Sequence, residues 1–227
     1  MSPDPRFLLG YCERAGAAGF WAEPLNAVSN AGFLLAAGLA LGLWLRQANR
    51  DGALLALASI VGAIGMGSFL FHTIPNRITV LMDVVPIQAF ILGYFGIATR
   101  RFLRLPIWSS LLAPVLFFAA SAAFVSGAGN RAMGGGAGYL PALAALFGFA
   151  ILCLRQRDAQ GRLIAGWLGA AGAVFAISLT LRTLDLPACR LVPFGLHFLW
   201  HLLNASVLGL LLLGLERHGG STVAREA

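Results

Sequence analysis

The chain has 227 residues, of which 59% are hydrophobic and 11% charged, with a formal net charge of +7. That composition is too apolar for an ordinary soluble globule. All sixteen basic residues are arginines scattered among the connections rather than gathered on one face, so the charge does not signal nucleic-acid binding.

Apolar runs of about 20 residues, the length that crosses a bilayer's hydrocarbon, recur along almost the whole chain. After an N-terminal segment, residues 1–24, they are expected at Leu25–Leu45, Gly52–His72, Ile78–Thr99, Leu105–Val125, Ala137–Leu154, Leu163–Leu181 and Leu191–Leu215. The runs are continuous rather than alternating, which selects helices over a barrel. The expected fold is one all-α domain, a seven-transmembrane helix bundle, followed by a polar, disordered tail from 216 to 227. Met1–Glu23 lacks the basic start and short apolar core of a cleavable signal peptide. The glycine-rich stretch Gly127–Gly138, with Arg131, reads as an outer loop that serves either as a lid or as a plain connector.

Arginine placement orients the bundle. Arg46, Arg50, Arg100, Arg101, Arg104, Arg155, Arg157, Arg162, Arg217 and Arg225 fall on one side; Arg6, Arg14, Arg77, Arg131, Arg182 and Arg190 fall on the other. Ten against six makes the first side cytoplasmic. The expected setting is a bacterial inner membrane, with the N-terminus outside and the C-terminus inside.

Against this apolar background four polar residues stand out. His72 closes the second span, Asp83 lies near the start of the third as the only carboxylate within any expected span, and His197 and His201 lie in the last. Ionisable groups at membrane depth are costly and usually face a cavity or a partner. With seven spans in this order, all four come to one depth in the outer half of the membrane. Three imidazoles can hold a zinc ion and leave a fourth position open, the arrangement of a catalytic site.

Spacing shows how such a site is built. His197 and His201, four apart, project from one helical face. Soluble zinc peptidases share a metal between two helical histidines in this way, but their intervening glutamate is missing here. Ser68 lies one turn from His72, and the Ile74-Pro75-Asn76-Arg77 turn returns Asp83 beside that histidine. Each residue alone has an ordinary reading: a helix–helix hydrogen bond for His72, a packing hydroxyl for Ser68, a structural partner or proton relay for Asp83. Asn26 and Asn30, four apart in the first span, read as bonds to neighbouring helices.

Tyr11-Cys12-Glu13-Arg14, Trp21-Ala22-Glu23-Pro24-Leu25-Asn26-Ala27-Val28-Ser29-Asn30, Ser68-Phe69-Leu70-Phe71-His72 and His197-Phe198-Leu199-Trp200-His201 together resemble the alkaline ceramidase family. That family belongs to a superfamily of seven-span membrane hydrolases that includes the adiponectin receptors. The resemblance implies hydrolysis of the ceramide amide bond to a sphingoid base and a fatty acid, with a membrane lipid as the partner. It also implies zinc on His72, His197 and His201, Ser68 stabilising the oxyanion, and Asp83 handling protons. Zinc acidifies a bound water and polarises a carbonyl, a neighbouring carboxylate moves protons, and a hydroxyl steadies developing negative charge, so these roles are chemically coherent.

In the N-terminal segment the resemblance implies calcium held by Glu13, Glu23 and the Tyr11 carbonyl. Gly10 and Ala15 stand where the family's pattern supplies side-chain oxygens, and calcium wants six to eight oxygens. The other reading of Glu13 and Glu23 is a pair of interfacial carboxylates tied to Arg14 or another arginine. The family also offers precedent for a disulfide between Cys12 and Cys189, both on the expected outer side, where oxidising conditions permit one. The alternative is three unpaired thiols, with Cys153 buried in either case. Hydrolysis of another acylated lipid, a receptor bundle and a haem protein remain as rival functions. Haem needs ligands from opposing helices, whereas His197 and His201 share a face.

Overall fold

A computed structural model describes residues 10–129 and 134–226. Arg6, Arg131 and part of the expected Gly127–Gly138 loop lie outside these residues. Within them the chain is helical, with no strand. Seven helices are long and apolar enough to cross a membrane: Pro24–Arg46, Gly52–Thr73, Arg77–Arg101, Ile107–Gly127, Gly136–Arg155, Ala159–Ala188 and His197–His218. The chain is an integral multi-pass membrane protein with a seven-helix all-α bundle.

The first span is built from α1 (Pro24–Ser29) and α2 (Ala31–Arg46); the rest follow as α3 (Gly52–Thr73), α4 (Arg77–Arg101), α5 (Ile107–Phe124), α6 (Leu140–Arg155), α7 (Ala159–Ala188) and α8 (His197–Glu226). Side chains that satisfy free backbone N–H groups set several of their starts. Asp51 Oδ1 accepts from Ala53 N at 2.9 Å to open α3. Asn76 accepts from Ile78 and Thr79 N while the Thr79 hydroxyl accepts from Asn76 N, a capping box that fixes the turn between α3 and α4. Short helical turns, Val125–Gly129 and Gly134–Tyr139, flank the glycine-rich stretch.

The helices pack in series, α5 on α4, α4 on α3, α3 on α2, α2 on α8, α8 on α7 and α7 on α6, and α3 also touches α8. Half of the α3 span is buried inside the bundle, against 6% of the α5 span, so α3 is the most enclosed span and α5 the most peripheral. The core includes Leu54, Leu57, Val61 and Ile64 of α3, Phe90 of α4, Leu168 of α7 and Leu212 of α8. At Gly67 the backbones of α3 and α4 touch. A Cβ there would collide with the Met82 carbonyl oxygen, so only glycine lets α4 lie this close. That approach puts Ser68 and Asp83 side by side.

Three boundaries differ from expectation. The sixth span runs seven residues past Leu181, which brings Asp185 into the bundle, so Asp83 is not the only carboxylate there. Asp185 is tolerated because backbone N–H groups of the next element satisfy it. The last span begins at His197 rather than Leu191, because Pro193 and a positive-φ Gly195 (φ 69°) keep 189–196 out of the helix. It then continues as helix to Glu226, in place of the expected disordered tail.

Gly67→Ala is expected to cost about 1–3 kcal/mol, the usual effect of overpacking. Gly38→Ala in α2, where a Cβ meets nothing within 4 Å, serves as the control and should not destabilise. Thermal unfolding in detergent checks this, and equal melting temperatures for the two variants would refute the close α3–α4 contact.

Candidate metal centre

His72 ends α3, and His197 and His201 begin α8, so two helix ends bring three imidazoles together. Their candidate ligand nitrogens all lie within 4.8 Å of one another and all three residues are buried. The ring centroids are 4.8 Å apart for His72 and His201, 5.2 Å for His72 and His197, and 4.6 Å for His197 and His201. The cluster can hold a metal ion.

Hydrogen bonds on the far side of two rings decide which nitrogen faces the cluster. His72 Nδ1 lies 2.6 Å from Glu23 Oε2, and the carboxylate can only accept, so Nδ1 carries the proton. Nε2 is then the bare nitrogen, and it is buried without a hydrogen-bond partner among the described residues. A buried orphan nitrogen of this kind calls for a ligand. At His201, Nδ1 is 2.8 Å from Ser29 Oγ, whose own proton goes to the Asn26 carbonyl at 2.9 Å. The hydroxyl therefore accepts from Nδ1–H, which again leaves Nε2 bare. Carboxylate or hydroxyl support behind a ligating imidazole fixes its tautomer and raises its basicity. The site fits a metal on both counts.

His197 is placed through its backbone. Asp185 Oδ1 accepts from Leu196 N at 2.6 Å and His197 N at 3.0 Å, so the start of α8 is capped by a carboxylate of α7. Gly195 makes room for this, since a Cβ there would overlap the Asp185 carboxylate. Asp185 Oδ2 also accepts from Cys12 N at 3.3 Å, and Cys12 is disulfide-bonded to Cys189. The N-terminal segment is thus fastened across the head of α8, where the Tyr11 ring packs on His197 (4.3 Å) and His72 (4.9 Å). Burial, then the neighbouring Asp83 charge, pushes the Tyr11 phenol up, which keeps it a neutral hydroxyl.

Calcium does not fit the N-terminal segment. Glu23 is 1% exposed and already engaged: Oε1 by the Arg14 guanidinium, Oε2 by His72 and by Asn26 Nδ2 at 2.9 Å. Burial works to raise its pKa, but hydrogen bonds from His72, Arg14 and Asn26 outweigh it and hold the carboxyl below its ordinary range. Both oxygens of Glu13 accept backbone N–H groups at the start of α1, from Leu25 at 2.7 Å and Asn26 at 2.9 Å. The Tyr11 carbonyl accepts from Ala15 N at 3.4 Å. Arg14, also 1% exposed, already supplies positive charge beside Glu23 and donates to the His72 carbonyl at 2.7 Å. Of the two sequence readings, pairing with arginine is the one the geometry bears for Glu23.

Ser68, Asp83, His197 and His201 line one cavity of about 280 Å³. It extends along α4 from Asp83 to Ala98, about 22 Å at 1.5 Å per residue. Beyond the polar end its walls are mainly apolar, including Phe90, Phe117, Phe149 and Leu208. Ser68 and Asp83 flank the Gly67–Met82 backbone contact, so they stand on neighbouring parts of the cavity wall.

Sequence reasoning missed three residues here. Ser29 supports His201, Asp185 caps α8, and Arg182, read as an outer-loop charge, lines the cavity from within α7. The available signal was the spacing of Arg182 and Asp185, three apart and flanked by leucines, which is compatible with one more helical turn. Asn30 does not bond to a neighbouring helix: its Nδ2 donates to the Asn26 carbonyl within its own segment at 2.8 Å.

Glu23→Gln should lower metal affinity about 10–100-fold, the usual effect of removing such support. His72→Ala, His197→Ala or His201→Ala should each abolish most binding. Chelator competition on purified protein measures both; unaltered affinity in Glu23→Gln would remove Glu23 from the site. The chain matches no protein-family model and no curated protein.

Proposed function

We propose that the chain is an intramembrane zinc-dependent amidohydrolase that cleaves the amide bond of ceramide-like lipids to a sphingoid base and a fatty acid. The observation that carries this reading is the buried cluster of three imidazoles, with His72 Nε2 left without a partner among the described residues, at one end of a long apolar cavity that also holds a carboxylate and a hydroxyl. Three nitrogen donors suit zinc, which would supply Lewis acidity and an activated nucleophile. His197 and His201 leave from one helix face, which suits a compact ion and not a macrocycle slotted between opposed ligands.

The protein's own residues do the rest. The apolar cavity takes an acyl chain and excludes water from it, while the amide is held at the polar end. Asp83 accepts the proton released as the nucleophile attacks and returns it to the departing amine nitrogen. In the resting site the Ser68 hydroxyl can donate to the Asp83 carboxylate. Once Asp83 holds a proton it becomes the donor, and the Ser68 hydrogen is free to turn to the oxyanion. The two residues therefore work as a pair rather than in sequence.

Arginine distribution and the Cys12–Cys189 disulfide support placing this end of the bundle outside a bacterial inner membrane, with the C-terminus in the cytoplasm. Ceramide amides lie just beneath the headgroups, the depth expected for the site from the order of the spans.

Purified protein should contain zinc and release fatty acid from N-acyl lipids, measured by metal analysis and mass spectrometry of products. Asp83→Asn should keep its zinc and lose about 10²–10⁴-fold in turnover. Ser68→Ala should keep its zinc and lose about 10²–10³-fold. A zinc-loaded wild type that hydrolyses no lipid amide would sink the proposal, and full turnover by Asp83→Asn would remove that residue from the mechanism.

A further inference from the structure

Arg182 is the one arginine that lines the cavity among the described residues. Its guanidinium carbon lies 5.5 Å from the Tyr139 ring centroid and 5.3 Å from that of Trp200, both within cation–π range. Those rings pack on each other edge to face at 5.0 Å, so the cation rests on a fixed aromatic seat. The guanidinium is placed but not neutralised. Among the described residues no carboxylate comes within 4.0 Å of it. Asp185, one turn along the same helix, is occupied with the start of α8. Asp83 feels the charge from a greater distance, as do His197 and His201.

A permanent charge on the wall of a largely apolar cavity is costly unless a partner arrives. Its five N–H donors, arranged as a planar fork, match a carboxylate in two parallel hydrogen bonds. The rest of the site says which part of a ligand supplies that carboxylate. The scissile carbonyl must meet the three histidines, and the acyl chain takes the apolar length toward Ala98. The remaining half of the molecule, on the nitrogen side, is left at the polar end beside Arg182.

We infer that Arg182 is a specificity residue that pairs with a carboxylate on the amine half of an N-acyl lipid. It favours lipid amides with an acidic head over neutral ones. This rests on the amidohydrolase part of that reading and revises its substrate, from amides of a neutral sphingoid base to amides whose amine half bears an anionic group.

The test compares N-oleoylglycine with its neutral counterparts N-oleoylethanolamine and N-oleoylsphingosine. Turnover and equilibrium binding of each are measured on zinc-loaded wild type, Arg182→Gln and Arg182→Lys in detergent. Wild type should prefer N-oleoylglycine in kcat/KM. Arg182→Gln should lose about 10–100-fold toward that lipid alone, the range expected for charged hydrogen bonds, and Arg182→Lys should recover part of the loss. Zinc content should be unchanged in all three proteins. Equal use of acidic and neutral lipids by wild type overturns the inference, as does an equal loss toward all three lipids in Arg182→Gln. If zinc-loaded wild type cleaves none of them, the hydrolase reading fails and binding decides the inference. Tighter binding of N-oleoylglycine that Arg182→Gln abolishes sustains the carboxylate site; binding indifferent to Arg182 overturns it.

Discussion

The structure turns on one buried chain of polar groups, Arg14 to Glu23 to His72, set at the end of an otherwise apolar bundle. None of the three could be there alone. A carboxylate or guanidinium withdrawn from water loses several kcal/mol, and mutual attraction repays it only when the remaining donors and acceptors are also satisfied. Here they are. Arg14 spends its other N–H groups on the carbonyls of Ala17 and His72, and Glu23 accepts a third hydrogen bond from Asn26. The N-terminal segment thereby becomes part of the core. The same chain fixes His72 in the tautomer that turns a bare nitrogen to its neighbours, so electrostatic satisfaction and ligand preorganisation are one arrangement.

A second buried carboxylate does for α8 what Glu23 does for α3. The first N–H groups of a helix need acceptors, and Asp185 provides them from another helix rather than from the preceding residue. The start of α8 is consequently fixed relative to α7 instead of to its own loop. Because His197 and His201 occupy the first two turns, their position follows from that cap. The glycine contact between α3 and α4 completes the set by bringing Ser68 and Asp83 together, and backbone proximity sets their spacing.

The bundle was legible in the sequence because membrane spans are written in long continuous runs, and seven of them fixed which ends share a side. The three histidines were legible for the same reason: polar side chains are conspicuous in hydrocarbon. What supports them was harder to read. Ser29 and Arg14 sit in stretches where polar residues are unremarkable, and their importance comes from contacts 172 and 58 residues away. Asp185 and Arg182 looked like the end of a span because charges normally end one. They lie inside the bundle because one caps a helix and the other rests on two rings. The expected calcium ligands had the right residue types, but hydrogen bonding decides what a carboxylate is free to do, and sequence does not show that Glu13 and Glu23 are already engaged.

The disulfide joins residues 177 apart, and the Asp185 contacts reach back to the same N-terminal segment. At a synthesis rate of 5–20 residues per second, the two ends of this clasp emerge about 10–35 s apart. During that interval Tyr11 and Cys12 have no seat, and His72 lacks the two imidazoles that complete its cluster. The centre can therefore assemble only after the seventh helix has entered the membrane. A chain truncated before α8 would hold most of the spans but only one of the three imidazoles, so the capacity to bind metal also reports that biogenesis is complete.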